Sequence, residues 1–153
     1  MARMADIPEP ERSAIAGFAC PTYESTPFVK GPPLAERRVA LISTAGLQRR
    51  GDRPFDFDAD DYRVIPGDID PADVTMSHVS SNYDRTGFQQ DLNVVFPLER
   101  LQEMAAAGEI GSVADYHYSF MGATEPEELE ARTRQLAGLL KADKVDAVVL
   151  LPV

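Results

Sequence analysis

The sequence predicts an α/β fold, a Rossmann-like layered domain with a mainly parallel sheet behind an irregular, proline-rich N-terminal arm. Two segments, residues 38–44 and 145–153, are the apolar, β-branched runs typical of buried strands. Helical patterns lie between the predicted strands, and the last strand is apolar on both faces. This combination indicates a parallel sheet covered by helices on each side.

The arm comprises residues 1–37 and the α/β domain residues 38–153. Six prolines lie before Leu34. Because proline fixes its own φ and disfavours helix in the residue before it, the arm is expected to be extended, with one short helical turn at residues 11–17. Cys20, the only cysteine, has no basic neighbour in sequence and is interpreted as a small apolar group rather than a nucleophile.

Within the domain, the first strand opens into a turn at Gly46, and further strands are predicted at residues 62–66, 75–80 and 113–120. Residues 49–61 and 81–93 are polar and are predicted to be loops.

Two helices complete the pattern. Pro97 opens one that ends at Gly108. Thr124 and Glu127 form a predicted capping box for the second. The core-facing residues of this second helix are Leu129, Thr133, Leu136 and Leu140.

Composition excludes several classes of protein. The chain has 153 residues, 44% of them apolar and 26% charged, which suits one globular domain. No apolar segment reaches the ~20 residues of a membrane helix, and no signal peptide is evident, so a cytoplasmic location is expected. A net charge of −10 argues against non-specific nucleic-acid binding. No Cys/His cluster has metal-site spacing, so no metal is expected.

Polar residues follow the predicted strands, where ligands of open α/β sheets bind. They concentrate in residues 77–93 and 117–123. Arg85 can pair with a carboxylate and Asp91 with an ammonium, as a zwitterionic substrate would require. The alternative is a polar loop in which Asp84 and Asn93 serve as turn or cap residues. The other candidates in the first segment are His78, Tyr83, Gln89 and Gln90.

His78 and His117 are the two histidines, and both flank strand ends. An unperturbed imidazole titrates near pH 6.5, so both are candidates for general acid–base catalysis. The alternative is that each is a structural residue within a strand. There is no Gly-x-Ser-x-Gly elbow and no phosphate-binding loop, so the residues alone provide a site without a nucleophile.

Longer motifs then point to a family. The segments SHV at residues 77–79, YDRTG at 83–87, QDLNVVFP at 90–97, GEIG at 108–111 and HYSFMG at 117–122 resemble the selenoprotein B family of glycine, sarcosine, betaine and D-proline reductases. The resemblance runs from about residue 38 to residue 153, and the ungapped block from 91 to 122 is its most specific part.

The resemblance implies a reductase subunit that breaks a C–N bond of a small amino acid or amine, with thiols as electron donors. A pyruvoyl group on a partner subunit and a selenocysteine directly after Val153 are implied as the reactive groups, and no cofactor bound by this chain is expected. The motifs carry His78 and His117 over as catalytic candidates. Arg85 is predicted to clamp the substrate carboxylate, and His117 to protonate the leaving amine. The remaining substrate-binding candidates are Tyr83, Asp91, Asn93 and Tyr118.

The sequence stops one step before that selenocysteine, so we expect that a UGA codon was read as a stop and that the domain is incomplete. Such a chain would lack its nucleophile and be inactive alone. Two alternatives stay open: a thiol or selenol redox protein that cleaves no amino acid, and a truncated, non-catalytic binding domain. A homo-oligomer is compatible with the sequence, which does not name the substrate.

Overall fold

A computed structural model describes residues 3–17, 22, 24, 28–80 and 84–153. The chain divides into two compact units, Met1–Lys30 and Gly31–Val153. The boundary predicted from sequence, at residue 37, lies later in the chain and stays a prediction. Cys20 and Tyr83 lie outside the described residues, so the predictions for both stay open.

The first unit contains a 3₁₀ turn, Met4–Asp6, and a short helix α1, Glu11–Ala16. The Glu9 carboxylate anchors the start of α1, because it accepts hydrogen bonds from the Ser13 hydroxyl at 2.7 Å and the Arg12 guanidinium at 2.8 Å. The helical turn predicted at residues 11–17 is therefore confirmed.

The second unit holds the sheet and its helices. Its strands are β1 Arg38–Ser43, β2 Leu47–Arg49, β3 Arg63–Pro66, β4 Val74–Met76, β5 Ser112–Val113, β6 Tyr116–Ser119 and β7 Ala147–Leu151. Its α-helices are α2 Thr86–Gln90, α3 Leu98–Ala106 and α4 Glu130–Ala142. Short 3₁₀ turns occur at Leu34–Glu36, Pro71–Asp73 and Leu92–Val94.

Strand β1 is the centre of the main sheet. On one side it pairs in parallel with β7, and on the other with β5 and then β6. Strand β3 pairs antiparallel with β6, so the sheet is mixed. Strands β2 and β4 form a separate antiparallel pair. The α/β class is confirmed, whereas the Rossmann-like arrangement stays a prediction.

Helices cover different residues of the same strands. Val39 and Leu41 of β1 pack in one cluster with Leu98 and Leu101 of α3. Ile42 shares another cluster with Tyr118 of β6 and Leu136 of α4. Because successive side chains of a strand point to opposite faces, α3 and α4 lie on opposite faces of the sheet. This layering was predicted from the alternation of strands and helices.

Several local predictions were wrong. Residues 81–93 were predicted to be a loop, yet α2 lies within them and a 3₁₀ turn begins at Leu92. The predicted strand at 113–120 is split into β5 and β6. Thr124 caps no helix, because its hydroxyl donates to the Ala59 carbonyl at 2.8 Å, and α4 begins only at Glu130.

Strand β7 differs most from its prediction. It was predicted to be buried on both faces, but Val148, Val149 and Leu150 are 37, 38 and 69% exposed. Within the described residues β7 pairs only with β1, so it is an edge strand of the sheet. An apolar composition shows that a strand is suited to a buried position, but burial also requires another element that packs against the strand.

Candidate functional site

The candidate site lies at the carboxyl ends of the parallel strands β1, β6 and β7. Gly46, just beyond β1, has a φ of +66°, which favours glycine. A Cβ at this position would lie 3.0 Å from both the backbone nitrogen and the Cα of His78. Glycine therefore allows the chain segment that carries His78 to pack directly against the end of β1.

Residues beyond β7 are tied to the same edge. The Thr44 hydroxyl accepts a hydrogen bond from the Val153 N–H at 2.8 Å, and the Thr44 N–H donates to the Leu151 carbonyl at 3.0 Å. These bonds continue the β1–β7 pairing past the last strand residue. They fix where the backbone leaves the sheet.

Gly122 is the point where the edge is most crowded. A Cβ added there would lie 2.8 Å from the Thr44 carbonyl oxygen, 3.0 Å from Nε2 of His78, and closer still to the Val153 carbonyl oxygen. The His78 imidazole and the end of β7 therefore meet at one place, and a side chain at position 122 would displace one of them.

The protonation state of His78 follows from its contacts. Its Nδ1 accepts a hydrogen bond from the Ser80 N–H at 3.2 Å, and Arg85 donates to the His78 and Ser80 carbonyls at 2.5 and 3.3 Å. Burial, and secondly the positive charge of Arg85, lower the pKa of His78. At neutral pH His78 is therefore a neutral imidazole with its proton on Nε2, the nitrogen nearest Gly122.

His117 lies inside the sheet rather than at this edge. It is 0% exposed, and its Nδ1 accepts a hydrogen bond from the Leu41 N–H at 2.9 Å. Its ring packs edge-on against Phe96 with 5.7 Å between ring centroids. Burial lowers the pKa of His117 to about 4. His117 is thus neutral at physiological pH, and its predicted role as a proton donor stays a prediction.

Tyr118, next to His117 on β6, points into the cluster beneath α4. Its ring packs against Tyr62 with centroids 5.6 Å apart, and burial raises the pKa of its hydroxyl. Its role in substrate binding stays a prediction.

Asp91 and Asn93 form a turn before α3. The Asp91 carboxylate accepts from the Asn93 backbone N–H and from the Asn93 side-chain amide, both at 2.9 Å. The same amide donates to Glu99 at 2.8 Å. The hydrogen bonds from Asn93 lower the pKa of Asp91. Asp91 therefore caps the 3₁₀ turn and Asn93 lies within it, which agrees with the alternative that Asn93 is a turn residue. The substrate roles of both residues stay predictions.

The structure therefore brings only some of the predicted residues together. His78 and Arg85 are in contact, as are Asp91 and Asn93, whereas His117 and Tyr118 are neighbours along a strand. Sequence reasoning missed Thr44 and Gly122. Thr44 is the last residue of one predicted strand and Gly122 follows another, so the rule that ligands bind at the carboxyl ends of strands could have included them.

Two further searches of the described ranges gave negative results. No helix there is long and apolar enough to cross a membrane. In the same ranges no three His, Cys, Asp or Glu side chains are grouped so that they could hold a metal ion.

A comparison with known proteins identifies the family of this chain. The profile of the glycine/sarcosine/betaine reductase selenoprotein B family matches residues 29–152. The chain belongs to this family. The resemblance deduced from the sequence motifs is thereby confirmed.

Three relatives of this chain are named as reductase subunits. The D-proline reductase subunit gamma of Acetoanaerobium sticklandii is 34% identical over 128 residues, covering 82% of this chain and 51% of the relative. The glycine reductase complex component B subunit gamma of Symbiobacterium thermophilum is 29% identical over 141 residues, covering 87% of this chain and 32% of the relative. Its counterpart from Carboxydothermus hydrogenoformans is 33% identical over 122 residues, covering 76% of this chain and 28% of the relative.

The chain thus spans about half the length of the D-proline reductase relative and about a third of the glycine reductase relatives. No solved structure matches it.

Proposed function

We propose that this chain is a component of an amino-acid reductase complex that cleaves the C–N bond of a small amino acid or amine. Membership of the selenoprotein B family supports the proposal, as do relatives named as subunits of glycine and D-proline reductases. In the proposed reaction the carbon–nitrogen bond breaks, the carbon gains hydrogen and the nitrogen leaves as an amine. The two electrons come from a dithiol, which becomes a disulfide.

We place the reaction at the carboxyl edge of the sheet. The observation that carries this placement is the meeting of His78 Nε2 and the end of β7 at Gly122. A residue that followed Val153 would start from this point. We propose, on the strength of the family resemblance, a selenocysteine at that position, because a selenol would supply a nucleophile that is ionised at neutral pH, unlike a thiol with a pKa of ~8.5.

Among the described residues, His78 is the one that we propose donates a proton to the leaving nitrogen. His78 donates from its charged form, the minor form at neutral pH, which is a stronger acid than an ordinary imidazolium because burial lowers the pKa of His78. Nε2, the nitrogen nearest Gly122, carries the proton that is transferred. The proposal gives His78 this role in preference to His117, whose Nδ1 is held by a backbone N–H in the core.

Arg85 supports the site in two proposed ways. It holds the backbone of the His78 segment through two carbonyls, and its charge suits the carboxylate of an amino-acid substrate. Tyr83, Asp91, Asn93 and Tyr118 stay as candidate substrate contacts. A pyruvoyl-bearing subunit is the proposed partner, and the cytoplasm, where dithiols stay reduced, the proposed location.

The test is an assay of the assembled complex. The product of the whole gene is purified with its partner subunits and given dithiothreitol with glycine, sarcosine, betaine or D-proline in turn. The proposal predicts loss of thiol that depends on one of these substrates and is matched by cleavage of its C–N bond. Thiol loss without cleavage would instead indicate a redox protein that cleaves no amino acid. The absence of both would contradict the proposal outright.

A further inference from the structure

The loop between β2 and β3 packs against both chain segments that meet at the carboxyl edge of the sheet. Its Phe55 side chain is buried in one cluster with Met121, and Val79 packs against that cluster. Met121 directly precedes Gly122 in the chain, and Val79 directly follows His78. The loop therefore contacts the sequence neighbour of each residue in the His78–Gly122 contact.

Two hydrogen bonds connect the loop to the same segments. The Thr124 hydroxyl donates to the Ala59 carbonyl at 2.8 Å, and the Phe55 N–H donates to the Ser77 hydroxyl at 2.8 Å. Ser77 directly precedes His78 in the chain. The second bond therefore ties the loop to the segment that carries the imidazole.

Ser77 is held by other elements as well. Its N–H donates to the Gly46 carbonyl at 2.9 Å, and the Gly46 N–H donates to the Phe120 carbonyl at 2.9 Å. The Ser77 hydroxyl donates its proton to Oε1 of Gln48 at 2.5 Å, while its oxygen accepts from Phe55. One hydroxyl thus connects the loop to β2.

This arrangement explains why a polar side chain is buried on β2. Gln48 is only 6% exposed, and a buried amide needs hydrogen-bond partners. Its side-chain oxygen accepts from Ser77, and its backbone carbonyl accepts from the Thr75 hydroxyl at 3.3 Å. Because Gln48 is paired with Thr75 in the β2–β4 ladder, it gives the Ser77 hydroxyl a fixed partner.

We infer that Ser77 is a positioning residue of the proposed reaction centre, whose hydroxyl links Phe55 to Gln48 and so holds His78 with its Nε2 at Gly122. The inference rests on the proposed function, because it concerns the proton donor of that reaction. Ser77 acts through His78 and not through the substrate. A misplacement of about 1 Å is enough to lower a rate by about 10²-fold, so a single hydrogen-bonded link matters.

The first test follows the imidazole in the 153-residue chain by NMR titration. Ser77→Ala removes both hydrogen bonds of the hydroxyl, so the pKa of His78, which burial lowers, should rise towards that of an ordinary imidazole. A loss of overall stability alone would leave the pKa of the folded chain unchanged. Equal pKa values of His78 in the wild type and in Ser77→Ala would overturn the inference.

Two control variants accompany this titration. Ser77→Thr keeps the hydroxyl and should keep the wild-type pKa of His78. Thr75→Val removes a hydroxyl from the same β2–β4 pair that donates to the Gln48 backbone and not to the loop, so it should leave the pKa unchanged. A rise of the same size in Thr75→Val would contradict a specific role of Ser77.

The second test measures C–N cleavage by the assembled complex. Ser77→Ala should lower kcat about 10- to 100-fold and change KM by less than about twofold, because the proton donor is misplaced while the substrate contacts remain. Ser77→Thr should restore kcat to within about threefold of the wild type. An unchanged kcat in Ser77→Ala would overturn the inference, as would a lower kcat without a change in the titration of His78.

A milder variant covers the case in which Ser77→Ala does not fold. Gln48→Met fills a similar volume but offers no oxygen to the Ser77 hydroxyl, so the pKa of His78 should again rise and kcat should fall about threefold to tenfold. Wild-type values of both would overturn the inference. A wild-type complex that cleaves no substrate would contradict the reductase proposal instead, and the titration of His78 would then decide alone whether Ser77 positions the imidazole.

Discussion

The imidazole of His117 replaces a backbone acceptor for the N–H of Leu41, at 2.9 Å. Val39 of β1 pairs with Val113 of β5, and Ile42 of β1 pairs with Tyr118 of β6. Between these two pairs, the segment that runs from β5 into β6 has two more residues than β1. Residues 114 and 115 therefore interrupt the hydrogen-bonded pairing along this side of β1. His117 closes the gap with its own side chain, which explains why a polar residue is fully buried in β6.

Replacing His117 tests this hydrogen bond. His117→Leu leaves the Leu41 N–H buried without an acceptor and should lower the free energy of unfolding by ~1–3 kcal/mol more than His117→Asn. Asn retains an oxygen near the position of Nδ1, and both variants lose the ring contact with Phe96. Urea denaturation measures the difference, and equal stability of the two variants would show that the hydrogen bond contributes nothing.

Stability should also depend on pH through His117. Its pKa is about 4 in the folded chain against 6.5 for an ordinary imidazole, so the unfolded state binds the proton more readily. The stabilisation is complete above pH 6.5 and is lost as the pH falls from about 6.5 to about 4, by up to ~3 kcal/mol. In His117→Asn the loss over this window should be smaller. Identical pH profiles of the two proteins, measured by denaturation, would contradict the shift.

Gly122 should tolerate no side chain. Gly122→Ala forces a Cβ against the Thr44 and Val153 carbonyls and should destabilise the chain by ~1–3 kcal/mol, with faster hydrogen exchange at the Val153 amide. Gly138→Ala is the matched control, since that position in α4 is exposed and open. The free energy of unfolding of this control should rise by up to ~1 kcal/mol, because alanine has a higher helix propensity than glycine. A neutral Gly122→Ala would show that the edge is not closely packed.

Arg38, the first residue of β1, is hydrogen-bonded to the carboxyl ends of α4 and β5 in a way that lysine cannot reproduce. It donates to the Asp143 carboxylate at 2.6 Å, the Asp143 carbonyl at 2.8 Å and the Val113 carbonyl at 2.7 Å. Arg38→Lys should therefore cost ~1–3 kcal/mol. Arg134→Lys, at an exposed i,i+4 pair with Glu130, should change stability by less than about 0.5 kcal/mol. Thermal unfolding compares the two, and similar losses would contradict this role for Arg38.

Much of the fold was predictable because local patterns determine it. The β-branched run of β1 and the proline that precedes α3 are each a signal contained in a few consecutive residues. The interruption between β5 and β6 was not predictable in this way, because it depends on the pairing of residues 112–119 with β1, far away in the sequence. The burial of β7 was also misjudged, since its composition does not reveal which elements lie beside it.

The candidate site was predictable only in part. The strand-end rule led to His78 and Arg85, which do lie in contact at the carboxyl edge. Residue type could not separate His78 from His117, because their roles differ in what each Nδ1 accepts: the N–H of Ser80 in a loop or that of Leu41 in a strand. Asn93 was likewise chosen for its polarity, whereas its amide nitrogen is committed to two neighbouring carboxylates.

The most direct test of the proposed reaction centre is the rate of substrate-dependent C–N cleavage by the assembled complex with His78→Asn. This variant retains an acceptor for the Ser80 N–H and removes Nε2, so the edge should stay folded while the proton donor is lost. The rate in His78→Asn should fall about 10²- to 10⁴-fold, and His117→Asn should stay close to the wild-type rate per folded molecule. An unchanged rate in His78→Asn would contradict a reaction centre at the carboxyl end of β7.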